Sequence, residues 1–254
     1  MRLCLLYLIV AQCVLLAGAT AQDGQSTAEN ASNPCSGGLT TIEQCLTEHH
    51  IALTKDGLVL AVHSENPEIW ALAADELAIK GVSDAIPVLA ELLEAKSDPN
   101  DKIILANALS ALHDERGVET LQHYCDDRTV SMGDRLWAAY QLLRYRPKSC
   151  AATLIEGLRN DTFRVQALGM IPNFRELTPS ESAQVRILLL SSLQDNDFTV
   201  RLQAAQTIRA LGDATLVPPL EVAMAHESNS SVREAMGYSI ETIQKKNQSG
   251  EAPK

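Results

Sequence analysis

The stretch "DNDFTVRLQAAQTIRALGD", Asp195 to Asp213, constrains the fold more than any other because it recurs along the chain. An acidic residue opens it, apolar residues follow three to four apart, the small pair Ala204-Ala205 sits at its centre, and Gly212 closes it. A side-chain oxygen at the start caps free backbone N–H groups, and a closing glycine supplies the turn that ends a helix. Aligned on the small pair, "NPEIWALAADELAIKG" supplies Ala73-Ala74, "DRLWAAYQLLRYRP" supplies Ala138-Ala139, and "NSSVREAMGYSIETI" supplies Met236-Gly237. "DKIILANALSAL" and "NDTFRVQALGMI" align more loosely, through Ala108 and Gly169. The markers at 73, 108, 138, 169, 204 and 236 are separated by 35, 30, 31, 35 and 32 residues. A repeat of that size marks supersecondary units that stack on their neighbours.

Each unit shares one internal plan. An apolar residue (Ile69, Val165, Val200 or Val232) precedes the small pair, and another (Leu77, Leu142, Ile208 or Ile240) follows it, so one helix face is apolar. Gly81, Pro147 or Gly212 then breaks the helix, and a second apolar helix follows: "AIPVLAELLEA", "GVETLQHYC", "CAATLIEGL", "SAQVRILLLSSL" or "TLVPPLEVAMA". The best-matched units align without a gap, with Val200 on Ile69, Gly212 on Gly81, Pro218 on Pro87 and Leu220 on Leu89. Proline suits the first turn of a helix, whose N–H groups lack partners in any case. Ala73, Ala74, Ala138, Ala139, Val200, Arg201, Ala204, Ala205 and Ile208 are the expected stacking residues, with Gly212 as the turn. Neither helix of a unit can bury its face alone, so the units must stack into a continuous core. Aromatic residues make up only 4% of the sequence, which favours helix over strand.

The pattern resembles the HEAT repeat family, in particular the bacterial PBS-lyase HEAT-like type, from about Asn66 to Lys246. The resemblance implies an all-α fold, an α/α superhelix of stacked helical hairpins, with about six repeats. Family repeats commonly carry Val-Arg in the first helix, which Val200-Arg201 and Val232-Arg233 match and Arg135 matches by position. Trp70 and Gln166 stand where the Arg is expected in two other units, so a polar ladder would be broken there. "TTIEQCLTEHHIAL" and "DGLVLAVHS" form one more helix pair as an amino-terminal cap, with Thr40 and Glu43 as a capping box. The final helix, Ser231 to Lys246, ends polar and suits the other cap.

The ends of the chain read differently. Arg2, a long apolar run and Ala19-Thr20-Ala21 form the pattern of a secretory signal peptide over 1–21, cut after Ala21; the rival is an uncleaved anchor. A polar leader over 22–38, a repeat region over 39–246 and a disordered tail over 247–254 complete the expected organisation. Removal of the signal leaves Cys35, Cys45, Cys125 and Cys150, an even number that suits disulfides in an exported chain, periplasmic or secreted. Cys35 and Cys45 flank a Gly-Gly turn, and a bridge there would tie the leader to the cap. For Cys125 and Cys150 the repeat register sets an offset of five residues, about 7.5 Å along parallel helices. Bridged Cβ atoms lie about 3.8 Å apart, so the register opposes this bridge while a one-turn shift would restore it. N-x-S/T triplets occur at Asn30, Asn160, Asn229 and Asn247 and matter only in a eukaryotic secretory route.

Catalytic signatures are missing: the sequence has no G-x-S-x-G, HExxH, phosphate-binding glycine loop or C-x-x-C. "HYCDD", His123 to Asp127, contains zinc-binding residue types, but adjacent helix positions diverge, and a solvated helix end is the simpler reading. His49-His50 beside Glu48 reads as an exposed face. Deoxyhypusine hydroxylases, which are HEAT-like, hold two irons through repeated His-Glu pairs; this chain has one such pair, His226-Glu227. Phycobilin lyases share the repeat type but act on pigment and apoprotein inside the cell. No metal, cofactor or catalytic group is therefore expected. The net charge of −11 does not suit a nucleic-acid backbone. The expected function is a non-enzymatic scaffold that binds a protein or peptide, with contact to a membrane only through the signal. The alternative is an accessory protein or enzyme with a site between repeats, where His123, Cys125 and acids would have to converge. Second helices line the binding surface of such folds, which makes Glu91, Glu94, Glu119, Gln122, Glu156 and Glu221 the candidates, suited to a basic or mixed partner. Trp70 is the candidate for an exposed apolar patch, unless it packs under the cap.

Overall fold

The computed structural model describes residues 41–146 and 150–249. The expected signal, the leader, Asn30, Cys35, Thr40 and the helix breaker Pro147 lie outside the described residues. Among the described residues the chain forms thirteen α-helices and no strand. They are α1 (Ile42–Glu48), α2 (Lys55–Ala61), α3 (Pro67–Ile79), α4 (Ile86–Ala95), α5 (Pro99–Ala111), α6 (Glu115–Asp126) and α7 (Met132–Leu142). There follow α8 (Ala151–Arg159), α9 (Arg164–Met170), α10 (Pro179–Ser192), α11 (Phe198–Leu211), α12 (Val217–His226) and α13 (Ser230–Ser249). The last helix runs three residues past the boundary expected at Lys246. None is long and apolar enough to cross a membrane.

The helices form two compact units, one ending at Gly117 and the other beginning at Val118. In the first, α3 packs between α1 and α5, while α2 packs on α3 and α4 on α5. In the second, α9, α11 and α13 stack in order, with α8 packed on α7, α9 and α10, and α12 on α13. Each unit is thus built of helical hairpins, with first helices α3 and α5 stacked in one and α9, α11 and α13 in the other, an all-α helical-repeat fold. Ala73, Ala74, Ala138, Ala139, Ala204 and Ala205 are all fully buried, as the small-pair pattern requires. Val200 and Ile208 are buried beside the last pair. Gly81 and Gly212 both take positive φ, 66° and 68°, directly after their helices, where a Cβ would be strained.

Helix starts follow the capping chemistry. Asn66, Asp98 and Asp197 cap α3, α5 and α11 through their side chains. The amino-terminal capping box sits one residue later than Thr40 and Glu43: Thr41 Oγ1 accepts from Gln44 N, and Gln44 Oε1 accepts from Thr41 N. Glu43 is left free to pair with Lys80 of α3, 3.0 Å away.

The register of α9 differs from the sequence alignment. Gly169 is exposed, and Ala167 and Leu168 occupy the buried positions of the small pair. The residue equivalent to Arg201 is therefore Arg164, not Gln166. Arg164 Nε donates to the Leu158 carbonyl, as Arg201 Nη1 donates to Asp195 and Arg233 Nη1 to Glu227, each six residues back. Arg164 also pairs with Asp195 at 2.6 Å, and Arg201 holds Glu227 through two bonds of 2.6 and 2.9 Å. The polar ladder runs on through α9, where a break was expected. At Trp70 the Arg is indeed replaced, and its partner changes with it. Trp70 is buried, so it forms no surface patch, and Lys96 Nζ lies 4.2 Å above its ring. Lys96 caps the end of α4 as Glu227 caps the end of α12, so a cation–π contact stands in for the ion pair.

Hydroxyls join successive first helices. Pro172 has no N–H to offer the Leu168 carbonyl, and Thr207 Oγ1 of α11 donates to that oxygen at 2.9 Å. One repeat later, Ser239 Oγ of α13 lies 3.0 Å from the Ala205 carbonyl oxygen.

Candidate binding surface

Within the second unit, α8 and α10 pack together and leave a groove of about 360 Å³ lined by Arg128, Ala152, Ile155, Glu156, Arg159, Glu181 and Gln184. Its walls follow from local sequence. In "AATLIEGLR", Ala151, Leu154, Ile155 and Leu158 are buried, which turns Ala152, Glu156 and Arg159 outward. Opposite, Thr178 and Glu181 form a reciprocal capping box around Pro179, so Glu181 is fixed at the first turn of α10. Arg159 Nη2 donates to Gln184 Oε1 at 3.0 Å across the two helices.

Beneath the groove lies a buried polar network. Arg135 of α7 is 5% exposed and donates to both carboxylate oxygens of Glu156, at 3.1 and 2.9 Å, and to Thr153 Oγ1 at 3.2 Å. Thr153 Oγ1 donates in turn to the Cys125 carbonyl at 2.6 Å. Hydrogen bonding from Arg135 holds the Glu156 carboxyl below the usual carboxylate range, against the opposing effect of burial. Arg135 Nε is buried and has no hydrogen-bond partner among the described residues.

Cys125 and Cys150 are joined as a disulfide, with Cα atoms 6.0 Å apart. The register argument against this bridge fails because the two residues do not lie along parallel helices at fixed heights. Cys150 precedes α8 in a left-handed conformation, φ 67°, and the first turn of α8 meets the last turn of α6. Asp126 lies beside the two sulfurs, within 4.8 Å, but both sulfurs are committed to each other. His123 does not join them; its ring is 70% exposed and faces Asp127 at 3.9 Å. The convergence that a site built on "HYCDD" requires is not formed. His226-Glu227 likewise splits, since Glu227 is held by Arg201. His50 is exposed as expected, whereas His49 Nε2 is buried without a partner among the described residues. Cys45 is buried and disulfide-bonded; Cys35 lies outside the described residues.

Of the surface residues read from the sequence, Glu91 and Glu94 are exposed on α4 in the first unit. Glu119 is exposed on α6 and Glu221 on α12, and neither lines the groove. Gln122 is half-buried on α6, its amide 2.6 Å from Asp126 and 3.8 Å from Cys150 Sγ. Only Glu156 lines the groove. Sequence reasoning missed Arg128, Arg159, Glu181 and Gln184. The capping signal "TPSE" was available for Glu181, but nothing in the spacing placed Arg128 across from α10.

No protein-family model matches the chain, and no curated protein matches it. Among solved structures it is similar to a designed armadillo repeat protein in complex with the peptide (KR)4, at 14% identity over 73% of this chain and 98% of that one, TM-score 0.44. The complex of CpcE and CpcF of phycocyanin lyase from Nostoc sp. PCC7120 is similar at 16% identity over 89% and 99%, TM-score 0.40. Human deoxyhypusine hydroxylase is similar at 17% identity over 80% and 77%, TM-score 0.40. The structural neighbours are armadillo- and HEAT-like repeat proteins, and the functional reading rests on the residues of this chain.

Proposed function

We propose that the chain is an exported, non-catalytic helical-repeat protein that binds a protein or peptide on the second-helix face of its second unit. The groove between α8 and α10 carries this reading: Glu156, Arg159 and Glu181 stand on helices whose opposite faces are locked into the core, and Arg128 reaches in from the turn after α6. Rigid secondary structure that presents adjustable surface positions is how repeat proteins bind. Export over residues 1–21, the leader and a Cys35–Cys45 bridge belong to the same reading. The buried Cys125–Cys150 disulfide supports it, because such bonds persist in oxidising compartments.

The experiment is affinity capture from the exported fraction with the purified chain, followed by cross-linking and peptide mapping. A stoichiometric partner cross-linked to α8 and α10 is the expected result. No partner, or cross-links confined to other helices, overturns the assignment.

A further inference from the structure

The glutamates of this groove are already engaged by groups of this chain. Both oxygens of Glu156 are occupied by Arg135 from below. Glu181 is engaged by the Thr178 N–H and hydroxyl at 2.8 and 2.7 Å. Asp127, next to Arg128 in sequence, is occupied by the Thr129 N–H and hydroxyl at 2.9 and 2.7 Å. The cations are not spent in the same way. Arg128 is exposed and forms no direct hydrogen bond or salt bridge among the described residues, though its charge helps to hold the Glu156 carboxyl low, and Arg159 bonds to the neutral amide of Gln184. On a chain of net charge −11, this groove presents two guanidinium groups to which no carboxylate is directly hydrogen-bonded among the described residues.

We propose that the groove binds an acidic peptide segment, with Asp or Glu carboxylates held by Arg128 and Arg159 and a small apolar side chain against Ala152 and Ile155. The proposal rests on the binding reading above and specifies the partner's chemistry. Guanidinium matches a carboxylate with two parallel N–H donors, which favours Arg over Lys in such a clamp. The buried Arg135 adds to the selectivity: it compensates Glu156, so the carboxylate on the groove wall repels an incoming acid less.

Fluorescence anisotropy with three labelled peptides of equal length, one Asp/Glu-rich with interspersed Ala and Leu, one Ser/Gly-rich and one Lys-rich, tests this. The acidic peptide is expected to bind, and the other two are not. Arg128→Ala/Arg159→Ala weakens it by about tenfold or more, the loss of at least one charge-assisted hydrogen bond. Arg128→Lys/Arg159→Lys retains part of the binding. Both side chains are exposed, so a circular dichroism spectrum unchanged from the parent keeps the comparison clean. Preference for the Lys-rich peptide, or acidic binding unaffected by the alanine pair, overturns the proposal. If the acidic peptide fails while capture still yields a partner cross-linked to α8 and α10, the partner chemistry is wrong and the binding reading stands. If both fail, both are wrong.

Discussion

Single residues carry the most exposed consequences of this fold. Arg201 and Glu227 form a bidentate pair in which the Glu227 side chain is 3% exposed. Arg201→Ala removes the compensation and leaves a buried carboxylate, which costs roughly 3–5 kcal/mol. Urea unfolding of the variant measures it; a loss within the range of ordinary surface changes would show the pair is not structural. His113 makes the opposite case. It occupies, with φ 65°, the left-handed position that follows α5, where α3 and α11 use Gly81 and Gly212. Left-handed backbone costs a side-chain-bearing residue about 1–2 kcal/mol, and glycine loses about 0.5–1 kcal/mol of that gain to chain entropy. His113→Gly is therefore expected to raise stability by roughly 0.5–1 kcal/mol, read as a higher melting temperature, and a lower one would refute the equivalence.

Elements meet at close approaches that tolerate little change. A Cβ on Gly117 of α6 would overlap the Ala106 carbonyl oxygen and Ser110 Oγ of α5. Gly117→Ala is expected to cost about 1–3 kcal/mol through forced separation of the two helices, visible in the same unfolding assay. The Cys125–Cys150 bond closes an interval of 25 residues between the end of α6 and the start of α8. Chain entropy gives such a loop about 3.5 kcal/mol of stabilisation. Cys125→Ser/Cys150→Ser should lower unfolding free energy by about that amount. An unchanged midpoint would mean the bond adds nothing. These junctions also show what was legible in the sequence. The helices, their caps and most small pairs could be read because they depend on neighbours three or four positions away. The register of α9 could not: Gly169 imitates a stacking residue, and only burial in the fold and the Arg164–Leu158 bond show that the frame lies two residues earlier. Arg135 and Glu156 could not be paired either, since their 21-residue separation depends on how α7 and α8 are set against each other. The sequence leaves the Cys125–Cys150 bridge open for the same reason. Periodicity fixes heights along one helix and says little of how the end of one meets the start of another.

At the scale of the whole molecule, charge pairs set the response to pH. Glu156, Glu227 and Asp114 each have a carboxyl pKa lowered, foremost by hydrogen bonds from Arg135, Arg201 and Arg116 respectively. A depressed folded pKa contributes stability that is complete above the unfolded value, about 4, and is lost as pH falls through the folded value. Melting temperature should hold near neutrality and decline below about pH 5, more steeply for the parent than for Glu227→Gln, which removes one titrating group. A melting temperature that rises on acidification would contradict the assigned pairs. The hydroxyl contacts between first helices have a further consequence, for how such a chain can grow. The interval from Asp197 to Ser228 carries a plug, the Thr207 hydroxyl, and a socket, the Ala205 carbonyl, in one continuous piece. It also begins at one helix cap, Asp197, and ends just before the next, Asn229. A gene segment that encodes this interval is thus a self-compatible module. Duplicated in tandem, it would meet its own copy with the fittings already in place, whereas a cut between Ala205 and Thr207 of α11 would separate plug from socket.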